Sequence, residues 1–264
     1  MNDSQDSRKY AFAGKKILPI KTVEQLAASY LVAEVIVEIR KELENNLEQK
    51  AIDSIPKLRA NASEKINLLY IEASRILKYK PQLIYMLKFM LEDMINYSFK
   101  SDPSVISAAA NDTSHLNAIF GSSFSTLAKI DLETHTLNVF EYAVNQAKTK
   151  GRVSGVALPL IGALLHDFGK STGIRNELLG EASARGYKAH AEVSAAYIQD
   201  ILSKKLYNQF QEVPSDTLDV LSHLVKNHHP ASKQHKDDQG IKFIEEADKA
   251  ARKKEYKQLQ TGVI

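Results

Sequence analysis

The sequence predicts an all-α protein, and three observations carry that prediction. Glycine and proline are scarce, 11 and 7 of 264 residues, which favours long helices over a turn-rich β architecture. Apolar residues recur at three- and four-residue spacings over most of the chain. No stretch alternates apolar and polar residues strongly enough to read as a strand, and no internal repeat is evident.

The elements follow in order. Residues 1–20 show no clear period and read as an irregular leader ending at Pro19. Thr22 with Gln25 three residues later forms a capping box, opening a helix from Val23 to about Gln49 with Leu26, Tyr30, Val32, Val35, Ile36, Ile39 and Leu43 as its apolar positions. Pro56 breaks the pattern. A second helix is expected from Ser63 to Lys78, and after Pro81 a third, rather apolar one from Leu83 to Tyr97. The Asn-, Ser-, Asp- and Gly-rich stretch 101–125, with a short helix at Val105–Ala110, is the expected domain boundary.

Beyond it, Leu132–Lys148 is amphipathic, whereas Val156–His166 is apolar nearly all round and is expected to be a central buried helix. Ala191–Leu206, Leu218–Lys226 and Lys242–Lys257 complete the prediction. The division is therefore residues 1–127, a helical region of unassigned role, and residues 128–264.

Composition excludes several chemistries. Hydrophobic residues at 44% and charged residues at 25% are ordinary for a soluble globular chain. The chain has no cysteine, so it has no disulfide, thiolate nucleophile or thiolate metal site. Any metal must be held by nitrogen and oxygen. Met1–Tyr10 is polar, without a signal-peptide core. The longest apolar run, Val156–Leu165, is too short to span a bilayer and contains Pro159. The expectation is a soluble, cytoplasmic protein with no membrane partner. A net charge of +3 is compatible with nucleotide or nucleic-acid partners without demanding them.

Seven of the eight histidines lie after residue 131. His166-Asp167 stands where the apolar helix ends, where burying both residues is costly unless something pairs with them. A metal ion is one such partner, and Gly169 suits a chain that must turn immediately afterwards. His135 lies on the preceding helix, His190 opens the following one, His228-His229 closes the next, and Asp248 lies on the last. Each helix thus delivers imidazole or carboxylate, a ligand set suited to Mn, Fe, Co or Ni, with Zn also acceptable. Adjacent helical residues point about 100° apart, so one of His228 and His229 could act behind the other. His223 reads as a helix-face residue, His235 as a loop residue and His115 as surface. Lys249, Arg252, Lys253, Lys254 and Lys257 read as a charged terminal helix face rather than a polyanion track.

The strings LETHTLNVFEYA, GALLHDFGK, YKAHAEVSAAYI, VKNHHP and EEADKAAR resemble, in order, the motifs of the HD-domain superfamily of metal-dependent phosphohydrolases, over residues 128–258. The resemblance implies a helical bundle in which His135, His166, Asp167 and Asp248 hold one ion. Asp167 bridges to a second held by His190, His228 and His229, and Lys170 reaches toward a phosphoryl oxygen or a bridging water. It implies a two-metal-activated water acting on a phosphate ester, with a phosphodiesterase for nucleic acid or a nucleotide second messenger ranked first. A nucleotidase or nucleotide pyrophosphohydrolase ranks second, because fewer ligands usually serve those relatives. A non-catalytic nucleotide- or nucleic-acid-binding regulator is the alternative of another class. The Gly-Tyr-Pro segment of the HD-GYP phosphodiesterases does not occur between Pro230 and Gly240, which counts against a cyclic dinucleotide.

Overall fold

The computed structural model describes residues 10–13, 16–78, 80–105, 127, 129–150, 153–180, 189–229 and 238–262. Most of the expected boundary, including residues 106–110 of the short helix, lies outside the described residues, as do His115 and His235. By internal packing the chain forms two compact units, Met1–Ser54 and Ile55–Ile264.

In the first unit, strands β1 (Tyr10–Ala13) and β2 (Lys16–Pro19) pair antiparallel, Tyr10 opposite Pro19 and Ala13 opposite Lys16. They lead into helix α1 (Ile20–Asp53). The irregular leader is thus corrected to a small hairpin. Its strands are four residues each, too short for alternation to register, and Gly14 between the two runs is the signal passed over. The stripe Val32, Ile36, Ile39, Leu43 and Leu47 on α1 is exposed.

The second unit is helical. Ser63 caps α2 (Glu64–Ile76), its hydroxyl accepting from Ile66 N at 3.3 Å. Pro81 occupies the first position of α3 (Pro81–Asn96), where its missing N–H costs nothing. A 3₁₀ turn, Phe99–Ser101, follows. Then come α4 (Leu132–Lys150) and α5 (Val153–Leu165), a second 3₁₀ turn at Phe168–Lys170, and α6 (Thr172–Leu179). Helix α7 (His190–Tyr197) runs through a π turn, Ile198–Leu202, into α8 (Ser203–Phe210). Helices α9 (Ser215–Lys226) and α10 (Gln239–Thr261) complete the unit. The described residues are therefore all-α apart from the hairpin. Helix α6 is an addition to the predicted set, and the single helix expected over 191–206 is three segments.

Helix α4 packs against α5, α10 and α2, while α5 also meets α9 and α10; α7 packs on the 168–170 turn and on α9. As its composition dictates, α5 is central, with Leu160, Ile161, Ala163, Leu164 and Leu165 all buried. Beneath its C-terminal end lies an aromatic seam. Phe168 meets Phe99 edge-on at 4.9 Å and Tyr197 at 5.1 Å between ring centroids. Each buried phenylalanine contributes about 2–3 kcal/mol of hydrophobic stabilisation, so the corner carrying His166 and Asp167 is anchored to fully buried aromatic rings. Helices α2 and α3 share this core through Ile66, Leu69, Met86, Leu87 and Met90. Tyr85 and Phe89 are partly buried. Among the described residues no helix is long and apolar enough to cross a membrane.

Candidate metal centre

Each candidate ligand is placed by a local device. Asp131 caps α4, accepting from Thr134 N at 2.7 Å and from its hydroxyl at 2.9 Å, which sets His135 one turn inside the helix and fully buried. His166 follows the last residue of α5 and donates from Nδ1 to the Ala163 carbonyl at 2.8 Å. Asp167 comes next, and the chain turns over Phe168–Lys170 against the start of α7. A Cβ on Gly169 would lie 2.0 Å from the His190 carbonyl oxygen, so only glycine permits this crossing. Gly169 N donates to Ser194 Oγ at 2.7 Å, and Ser194 Oγ donates to the His166 carbonyl at 3.2 Å. The turn that carries Asp167 is thereby fastened to the helix that carries His190. Helix α9 ends at Lys226. His228 lies just beyond and donates from Nδ1 to the Val225 carbonyl at 2.5 Å, and His229 follows outside helical geometry, so the 100° argument does not separate the pair.

These devices bring the predicted residues together in two adjoining groups. The ligand atoms of His135, His166 and Asp248 lie within 4.8 Å of one another, as do those of His190, His228 and His229. Asp167 spans the two. Its Oδ2 is 3.3 Å from Nε2 of both His135 and His166, and its Oδ1 is 3.3 Å from Nε2 of His190. Asp248 Oδ1 is 3.3 Å from His135 Nε2, and the Nε2 atoms of His190 and His229 are 2.7 Å apart.

Residues 132–253 match the family model of the HD domain. This part of the chain is an HD domain. Among curated proteins and among solved structures, nothing matches the chain. HD domains form a family of metal-dependent phosphohydrolases, and the test of that inheritance here is whether the residues present suit an ion.

They do. His135 Nε2, His166 Nε2, His228 Nε2, Asp167 Oδ1 and Asp248 Oδ1 are buried and lack a hydrogen-bond partner. Leaving such atoms unsatisfied costs about 1–3 kcal/mol each. Five of them distributed over the two adjoining groups is the arrangement expected of a cation site. In His166 and His228 a backbone carbonyl takes the Nδ1 proton, which directs the Nε2 lone pair into the HD domain's centre.

The electrostatics agree. Burial lowers His190 and His229, and their neighbours, Lys170 for the first and His228 for the second, oppose a second charge there and lower them further. Burial and His166 bring His228 down to about 4. All three are therefore neutral imidazoles near pH 7, the ligand form. Burial would raise Asp167 and Asp248, but His166 and Lys170 beside Asp167, and His135 and His166 beside Asp248, hold both well below the usual carboxylate range. His135 goes the other way. Burial and Arg252 oppose its charge, yet Glu255, Asp167 and Asp248 raise it to about 10.

Lys170 Nζ donates to Asp167 Oδ2 at 2.7 Å and to the Ser104 carbonyl at 3.1 Å. His223 pairs with Asp238 at 3.5 Å instead of joining either group. The expected charged face of α10 is corrected at one position. Arg252 is 3% exposed and bonds to Ser104 and Glu255, because its i+4 relation to Asp248 turns it inward. Sequence reasoning missed Ser104, Asn138, Arg252 and Glu255. For the last two the available signal was their spacing of four and seven residues from Asp248.

Proposed function

We propose that the chain is a two-metal phosphodiesterase acting on nucleic acid or on a nucleotide second messenger. The observation that carries this reading is the doubled ligand set, two three-residue groups sharing Asp167. His135, His166, Asp167 and Asp248 would hold one ion, and Asp167, His190, His228 and His229 the other. Bound there, divalent ions supply a water deprotonated near neutral pH and positive charge for the phosphoryl oxygens.

The chain's own residues do the rest. The buried carbonyl anchors and the Gly169–Ser194 bond fix the ligands before substrate arrives, so little reorganisation is spent on assembly. Lys170, tethered to Asp167 and Ser104, sets a fixed cation at the edge of the site, where it favours a phosphate ester over a neutral one. Both ligand groups are complete, which favours the diesterase over the nucleotidase reading and over a binding-only role.

The test is a hydrolysis panel in Mn²⁺, Co²⁺ or Ni²⁺. It comprises bis-p-nitrophenyl phosphate, single-stranded DNA and RNA, cyclic dinucleotides, and nucleotide mono- and triphosphates, beside Asp167→Ala. Metal-dependent diester cleavage lost in the variant is the expected result. Cleavage of nucleotides alone would select the nucleotidase, and no turnover by folded, metal-loaded protein would select the binding role.

A further inference from the structure

The hydrogen bonds that hold the first ligand group run past both ends of the family match. Glu255, two residues beyond residue 253, is completely buried. A buried carboxylate is costly unless several donors meet it, and here three do. His135 Nδ1 lies 3.0 Å from Oε1 and 3.2 Å from Oε2. Asn138 Nδ2 donates to Oε1 at 3.0 Å, and Arg252 Nη1 to Oε2 at 3.2 Å.

Two of the three donors are themselves pinned. Asn138 Oδ1 accepts from Lys65 at 3.1 Å, which turns its amide nitrogen toward Glu255. Arg252 is locked to Ser104 through Nη1–Oγ at 2.9 Å and Nη2–O at 3.0 Å. A carboxylate so supplied can only accept, so the proton between it and His135 sits on Nδ1.

We propose that Glu255 is a positioning residue of the metal centre. It holds His135 in the Nδ1-protonated tautomer, ring plane fixed, with the Nε2 lone pair aimed at the ion shared with His166 and Asp248. The proposal rests on the two-metal reading above. His166 and His228 are oriented by backbone carbonyls, which no substitution removes. For His135 the orienting atom is a side chain, and so the role can be tested.

The experiment titrates the full chain, stripped of metal, with Mn²⁺ by calorimetry for wild type, Glu255→Gln and Glu255→Ala. Circular dichroism reports the fold. The expected result is that one of the two ions binds about 10- to 100-fold more weakly while the other keeps its affinity. Glu255→Gln, which retains an acceptor for Nδ1–H, should fall between wild type and Glu255→Ala. A merely structural carboxylate would not discriminate between the ions. Should Glu255→Ala fail to fold, the near-isosteric Gln variant decides. Wild-type affinity for both ions in folded Glu255→Gln, or equal weakening of both, would overturn the proposal. A wild-type chain that binds no Mn²⁺ would instead overturn the metal reading on which it stands.

Discussion

The two ions should differ in their response to pH, and the difference can be worked out from the ligands. His135 is raised to about 10 by Glu255, Asp167 and Asp248 against burial and Arg252, so without metal it carries a proton at pH 7. The first ion must displace that proton, at a cost of about 4 kcal/mol for three pH units. The sign is fixed. A raised group holds its proton below its folded pKa, so metal affinity rises with pH, tenfold per unit up to about pH 10. Between pH 7 and 8.5 the first ion should bind about 30-fold more tightly. The second ion meets His190, His228 and His229, all pushed down and already neutral, so its imidazole ligands release no proton over this range and its pH dependence is only that of the water it activates. Mn²⁺ calorimetry in two buffers of different ionisation enthalpy reads both quantities, with one ligand proton released at the first site and no ligand proton at the second. PH-independent binding of both ions, with no proton released, would refute the reasoning.

Other predictions follow from single contacts. Gly169→Ala places a Cβ 2.0 Å from the His190 carbonyl oxygen; relieving that clash should cost about 3 kcal/mol or more in urea denaturation, and an undiminished midpoint would contradict it. Tyr197→Phe removes a 2.6 Å hydrogen bond to buried Asp93, which Lys205 also pairs; stability should fall by about 1.5–3 kcal/mol with metal content unchanged. Metal-free protein should weaken in mild acid. Burial and His166 lower His228 to about 4 from the ordinary imidazole value of 6.5, so its contribution is complete above pH 6.5 and lost as pH falls toward 4, about 3 kcal/mol in all. Thermal melts in chelator at pH 7 and pH 4.5 measure that loss.

The helices of the second unit were legible because periodicity and punctuation agree there. The apolar run before His166, the proline at the start of α3 and the serine before α2 each act through local physics that the sequence displays. The ligands were legible because imidazole and carboxylate recur at successive helix ends. What escaped depends on tertiary partners. Glu255 lies in Arg-Lys-Lys-Glu-Tyr-Lys, which reads as solvated helix, and its burial is decided by His135 and Asn138, more than a hundred residues earlier. Ser104 acts largely through its carbonyl, which no side chain announces. The π turn at Ile198–Leu202 leaves the three- and four-residue apolar spacing intact, with Tyr197, Ile198, Ile201, Leu202 and Leu206 all buried. Helix α6 was passed over because eight residues leave little room for a period.

The central claim is that two ions share Asp167, and counting metal tests it most directly. Wild-type and Asp167→Ala chains would be loaded with Mn²⁺, desalted and measured for metal per folded chain. Two ions in the wild type and none retained by the variant, which removes a carboxylate facing both groups, is the predicted result. A variant that still retains two ions, or a wild type that retains none, would contradict it.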